Sequence, residues 1–237
     1  LLVFSLRGEE ETTFPPREAF TSSRVVGTPE PPSSFVTERV FEKLKFNSPV
    51  DLTDAPGTSR LFVVEQSGKI FSFVSQEDVS QPDLVVDLAK EIPDAKQVYA
   101  LAFHPDFEVN RYCYVCYIAA DSLDDGSHVA RFQVSNTNPP TIDAASEKTV
   151  ITWRSGGHNG CCLKFGPDGY LYISTGDAGP ANPPDIYKTG QDISDLLSSI
   201  LRIDVDQTEG EKNYRIPPDN PFVNTEGARG EVWAYGL

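Results

Sequence analysis

His158 and Asp177 are the two side chains of this sequence whose types and surroundings invite chemistry. The histidine stands in Gly156-Gly157-His158-Asn159-Gly160 and the aspartate in Gly176-Asp177-Ala178-Gly179. Glycines on either side let backbone or a ligand approach closely. An imidazole is the usual general base near neutral pH, and a carboxylate bonded to one ring nitrogen orients the ring and raises the basicity of the other. The residues between them read as a hairpin. Leu163 and Phe165 alternate with Lys164, Gly166-Pro167-Asp168-Gly169 supplies turn chemistry, and Tyr170-Leu171-Tyr172-Ile173 runs back as an aromatic and β-branched strand. The start of the first strand and the end of the second then lie side by side, so His158 and Asp177 should meet at one rim. A histidine making a structural hydrogen bond in a turn is the competing reading.

The other polar candidates are weaker. His104 lies in the turn Phe103-His104-Pro105-Asp106, where a structural role is expected, and His128 opens an outer strand and is expected to be solvated. Cys113 and Cys116 fall on opposite faces of a strand, which rules out pairing with each other or a zinc knuckle. Cys161 and Cys162 are adjacent, and a bond between neighbours closes a strained eight-membered ring, so they read as small packed residues. With dispersed histidines and cysteines no transition-metal site is expected. Asp121, Asp124 and Asp125 lack the spacing of an EF-hand and read as a solvated acidic turn.

The elements that must position the pair repeat. Val50–Thr53, Arg60–Glu65, Lys69–Val74 and Leu84–Leu88 form one set of four strands; Tyr99–Phe103, Tyr112–Ala119, Val129–Val134 and Thr149–Trp153 form a second. Cys161–Phe165, Tyr170–Ser174, Ile200–Val205 and Tyr214–Ile216 form a third, and Val232–Leu237 begins a fourth. Each set opens with an apolar strand, a turn containing proline and a Leu/Tyr/Phe-rich strand. Four strands in roughly 50–60 residues suit the blades of an all-β propeller, with a β-sandwich as the alternative. In a propeller the first strand of each set lines the central channel, so His158 faces the pocket at one mouth. Gln97, just before an innermost strand, faces the same mouth one blade earlier and is a candidate substrate contact.

Residues 1–36 read as an extended or disordered leader, rich in Pro, Ser, Thr and Glu from residue 7. Leu1–Leu6 reads either as the tail of a signal-peptide apolar region or as an ordinary apolar strand, and is too short to span a membrane. The sequence contains no methionine and so reads as a fragment or processed form. Asp and Glu number 35 against 20 Lys and Arg, a formal charge of −15. That charge argues against nucleic acid or an anionic membrane as partner and leaves a small polar substrate easier to accommodate.

The run HNGCCLKFGPDGYLYISTGDAG (158–179), with LAFHPDF (101–107) before it and GQDISDLLSSILRIDVD (190–206) and EVWAYGL (231–237) after it, resembles the glucose/sorbosone dehydrogenase family. The resemblance runs from about Phe41 to the last residue. That family contains soluble pyrroloquinoline quinone (PQQ) sugar dehydrogenases, which are six-bladed β-propellers. The resemblance implies that residues 37–237 are a partial propeller of three blades plus the first strand of a fourth, with Val40–Phe46 a strand that would complete the last blade. It implies an oxidoreductase in which His158, beside the cofactor, takes the proton from the anomeric hydroxyl of an aldose while hydride passes to PQQ. Asp177 matches the position that holds the imidazole. PQQ and calcium are the implied cofactors, the calcium ligands being expected beyond Leu237, so that the chain alone is expected to be inactive. A sugar substrate, an external electron acceptor such as a quinone or cytochrome, and a secreted or periplasmic location go with it, without membrane insertion. Two departures bear on the substrate. Gln97-Val98-Tyr99-Ala100 stands where the family has Gly-Leu-Leu-Gly, and Gly157 precedes the base where some members carry an acid. A calcium-dependent lactone hydrolase and a non-catalytic propeller binding a glycan or protein remain as alternative functions.

Overall fold

Strand β6 (Tyr112–Ile118) reads YCYVCYI and is buried at nearly every position. A strand with one wet face alternates apolar and polar residues; a continuous apolar run needs cover on both faces. Cys113, Val115 and Tyr117 enter one core cluster with Phe62, Val64 and Ile70, whereas Tyr114 and Cys116 enter a second with Leu163, Leu171 and Ile173. Cys113 and Cys116 thus lie on opposite faces, as the strand period requires. The sheet containing β6 is packed between two others.

The computed structural model describes residues 38–119 and 123–236. The leader over residues 1–36 and Asp121 lie outside the described residues. Within 39–237, a compact unit, the described strands form three four-stranded antiparallel sheets. The first holds β1 (Pro49–Asp54), β2 (Arg60–Glu65), β3 (Lys69–Val74) and β4 (Asp83–Asp87) in sequence order. The second holds β5 (Gln97–Phe103), β6, β7 (Ser127–Val134) and β8 (Ile142–Trp153). The third holds β9 (Cys162–Phe165), β10 (Leu171–Ser174), β11 (Ser199–Ile203) and β12 (Val232–Tyr235). The first strands are neighbours, β1 beside β5 and β5 beside β9, while β4 lies beside β8. Up-and-down sheets in sequence order, packed face to face with their first strands together, are propeller blades, which is the all-β class read from the repeat. The α-helices among the described residues, α1 (Leu88–Glu91) and α2 (Phe107–Asn110), are single turns, and no described helix is long and apolar enough to cross a membrane.

Adjacent blades are also tied by polar bonds. Leu101 N–H donates to Asp51 Oδ2 at 2.9 Å, and Val98 N–H to the Gln66 carbonyl at 3.0 Å. His104 is buried at the far end of β5. Its Nδ1 accepts from the Asp106 N–H at 3.0 Å, so Nε2 carries the proton toward Asp206 Oδ1, 2.9 Å away, between the second and third blades.

Three strand expectations fail. Val232–Tyr235 does not begin a fourth sheet; it is the outermost strand of the third, with Ser199, Ile200 and Leu201 facing Tyr235, Ala234 and Val232. Tyr214–Ile216, expected in that place, makes only the bridge Arg215–Asp204, because Pro217 and Pro218 follow and offer no N–H to a ladder. Nor is Val40–Phe46 a strand. Phe41 sits at φ 54, in the left-handed region, and its carbonyl accepts from Leu44 N–H in a turn. This segment instead lays Phe41, Leu44 and Phe46 over Val63 and Phe73 on the outer face of the first blade.

Candidate active site

The β9–β10 hairpin forms as its sequence demands. Gly166 and Tyr170 close the turn through N–H···O at 3.0 Å, and Gly169 takes φ 82, which a side chain would strain. Cys162 faces Ser174 and Phe165 faces Leu171. Beyond β9 and β10 the two arms stay zipped. Ala178 N–H donates to the His158 carbonyl at 3.0 Å, His158 N–H to the Gly179 carbonyl at 3.0 Å, and Gly176 N–H to the Asn159 carbonyl at 3.2 Å. This approach has no room for a methyl group. A Cβ at Gly156 would stand 1.8 Å from the Ala178 oxygen, one at Gly157 2.4 Å from the Gly179 oxygen, and one at Gly176 2.1 Å from the His158 oxygen.

The zipped arms bring the two predicted residues together. His158 Nδ1 lies 3.1 Å from Asp177 Oδ1, with the histidine side chain 51% exposed and the aspartate 15%. Asp177 is itself anchored. Oδ1 accepts from Gly179 N–H at 2.9 Å and Oδ2 from Asp185 N–H at 3.1 Å. Partial burial pushes its carboxyl up, but these two N–H groups and the histidine ring outweigh burial and hold its pKa below the ordinary value. The ionised carboxylate therefore accepts the Nδ1 proton, which leaves the Nε2 lone pair outward.

Other residues complete the rim. Asn159, buried, closes the preceding turn by accepting from Gly156 N–H at 2.6 Å and donating to the Gly156 carbonyl at 2.8 Å. Asp185 binds Thr189 and Gly190 N–H groups and so fixes the loop whose N–H reaches Asp177. Neither was singled out in the sequence, although the Asn of the His-Asn-Gly motif was a signal. Gln97 opens β5, half-buried, and accepts the Tyr99 hydroxyl at 2.7 Å; that hydroxyl also receives Gln66 Nε2 at 3.3 Å. Tyr99 occupies the register shift between Val98 and Ala100, and a bulge re-aims the side chain it carries. Gln66, in the β2–β3 turn, lies at the same end of its blade as the start of β1, since Pro49 faces Glu65. First strands of neighbouring blades run in the same direction, so Gln66, Gln97 and His158 share a rim. His128 is half-buried rather than fully solvated: its ring stacks on Tyr117, centroids 4.9 Å apart, and burial lowers its pKa. Asp124 binds Arg154 in an exposed ion pair.

Stacked four-stranded antiparallel blades with their first strands side by side define a β-propeller architecture, with the histidine–carboxylate pair at the rim of an innermost strand. The chain belongs to the glucose/sorbosone dehydrogenase family, whose model matches residues 46–237. It is 30% identical over 200 residues to human Hedgehog-interacting protein, covering 78% of this chain and 28% of that protein. It is also 30% identical over 137 residues to the aldose sugar dehydrogenase YliI of Escherichia coli, covering 56% and 33%. The PQQ-bound aldose sugar dehydrogenase of Streptomyces coelicolor shares the fold, with a TM-score of 0.60 over 81% of this chain and 51% of that one at 24% identity. The chain thus spans about a quarter to a third of these two curated relatives.

Proposed function

We propose that this chain carries the base-bearing part of a PQQ-dependent sugar dehydrogenase acting on the anomeric CH–OH of an aldose. The observation that carries the reading is the 3.1 Å contact of His158 Nδ1 with an anchored Asp177. Asp177 keeps the Nδ1 proton in place, so Nε2 is the atom that takes the hydroxyl proton of the sugar. The imidazolium formed is then stabilised by the carboxylate behind it. PQQ, when bound, supplies the two-electron acceptor. The residues present fit the base side of such a group, because half of the His158 side chain is open at the rim and its unprotonated nitrogen points away from Asp177. Among the described residues there is no cluster of three or more His, Cys, Asp or Glu to hold a metal, and calcium ligands belong, on this reading, to other parts of the protein. Gln97, with Tyr99 and Gln66 behind it, offers amide and phenol groups to sugar hydroxyls. An external quinone or cytochrome acceptor and a secreted or periplasmic location accompany this activity.

The test is dye reduction by the whole polypeptide that carries this sequence, reconstituted with PQQ and calcium and offered a panel of aldoses. His158→Gln is expected to lower turnover by about 10²–10⁴-fold, the usual worth of a general base, while PQQ binding persists. A variant that keeps most of its turnover would place the base elsewhere. The similarity to Hedgehog-interacting protein favours a second reading, a non-catalytic propeller that binds a protein partner. It predicts no aldose oxidation in any reconstituted form and binding to a Hedgehog-type protein partner that is indifferent to His158→Gln.

A further inference from the structure

Asp177 receives backbone N–H groups from two places. Gly179 belongs to its own turn, whereas Asp185 sits in an excursion of chain, residues 181–188, of which it is the residue that is not exposed. Asp185 works in two directions. Its N–H donates to Asp177 Oδ2 at 3.1 Å, the oxygen that His158 does not use. Its carboxylate clamps the turn that follows: Oδ1 accepts from Thr189 N–H at 2.6 Å and Thr189 Oγ1 at 3.1 Å, and Oδ2 from Gly190 N–H at 3.2 Å. The buried Thr189 hydroxyl meets the buried Ser198 hydroxyl at 2.8 Å, and Ser198 N–H donates to the Gly176 carbonyl at 3.0 Å. The bonds therefore close a circuit, from Asp177 through Asp185, Thr189 and Ser198 back to the residue before Asp177.

This circuit is built against local backbone preference. Seven non-glycine residues among the described ones take a left-handed backbone, and four of them, Ala178, Asp185, Lys188 and Ser198, fall in this one stretch. Such torsions persist where the surroundings impose them, and they gather at sites whose geometry matters. We propose that Asp185 is a positioning residue: through its N–H and its clamp on Thr189 it fixes Asp177, and through Asp177 it fixes the ring of His158. A carboxylate turns easily about its last torsion. With Oδ2 released, Asp177 no longer holds Oδ1 toward Nδ1, and the outward aim of Nε2 is lost with it. The consequence for turnover rests on the function proposed above; the consequence for the ring does not.

The experiment follows the His158 Nδ1–H resonance by NMR in the whole polypeptide that carries this sequence, labelled at its histidines. Asp185→Gly keeps the left-handed torsion without strain and removes the clamp; the resonance, protected in the unaltered protein, should disappear. Asp185→Asn also tolerates that torsion and keeps an oxygen for Thr189, so it should restore the resonance. Thr189→Val, which removes the hydroxyl link alone, should speed its exchange. After reconstitution with PQQ and calcium, Asp185→Gly should lower kcat by about 10–100-fold, the scale of a small misplacement, with KM unchanged because Asp185 stands behind Asp177. An unaltered protein without aldose oxidation would sink the dehydrogenase reading and leave the resonance to decide this one. A resonance as protected in Asp185→Gly as in the unaltered protein, whatever happens to the melting temperature, would reduce Asp185 to a structural clamp and overturn the proposal. Should that variant fail to fold, unchanged exchange in Thr189→Val would overturn it equally.

Discussion

The two ends of the third blade hold charge in opposite ways. At the turn end, Arg202 on β11 is 4% exposed and spends its guanidinium completely. Nε donates to Asp168 at 3.0 Å, Nη1 to Asp219 and Asn220 at 2.9 Å each, and Nη2 to Asp219 at 3.1 Å, while Tyr170 and Trp233 cover its two sides. Nearby Glu231, 1% exposed, accepts from Lys212, Tyr214 and Arg229. At the other end His158 makes one side-chain bond and leaves its second nitrogen outward. A polar cluster closed on itself can stabilise but cannot act on anything else, whereas a group supported from behind and open in front can react. The difference separates two sets of charged residues that look alike in the sequence.

The largest effect should follow from breaking the closed end. Arg202→Met leaves the partly exposed Asp168 and Asp219 and the buried Asn220 without their shared donor. With several hydrogen bonds to a charged group lost at once, each worth about 1.5–3 kcal/mol, it is expected to destabilise most, read by urea denaturation; a loss below about 1 kcal/mol would erase the contrast. Next comes acid. Burial pushes Glu231 up, but the Arg229 and Tyr214 hydrogen bonds prevail and hold its pKa at about 2, below its ordinary 4.5. A carboxyl depressed on folding stabilises fully above its unfolded pKa and loses that contribution as pH falls through the folded one. Stability should therefore decline between about pH 4.5 and 2, and Glu231→Gln should flatten that slope while lowering stability at neutral pH.

A smaller loss, about 1–3 kcal/mol, is expected for Gly176→Ala, whose Cβ would stand 2.1 Å from the His158 carbonyl oxygen. Its distinctive outcome is separation of the histidine from Asp177, seen as loss of the protected Nδ1–H resonance. The smallest effect on folding belongs to His158→Gln, within about 1 kcal/mol for so exposed a pair. If that variant destabilised the chain as much as Arg202→Met, the open end would be structural after all.

The sequence carried the hairpin and its pair because both are local: turn chemistry and glycine spacing decide them within a short stretch of chain. The blade repeat was legible for a similar reason, since continuous apolar strands such as β6 announce cover on both faces. What escaped depended on competition between distant segments. Val232–Tyr235 and Tyr214–Ile216 have similar strand character, and only the Pro217-Pro218 pair tells which of them joins β11. Phe41, Leu44 and Phe46 look like a strand until the outer face of the first blade takes them as cover. The Tyr99 bulge and the Tyr117 ring over His128 are likewise products of pairing between strands, which no local pattern records.

The missing methyl groups at 156 and 176 set how such a rim can diversify. A side chain at either would pry the zipped arms apart, so these two positions are closed to drift and to engineering alike. On the proposed function, a change of sugar preference that keeps the base in place would then be introduced elsewhere on the rim. Gln66, Tyr99 and Gln97 on the neighbouring blades are, on that reading, the positions at which a library would look for new specificities.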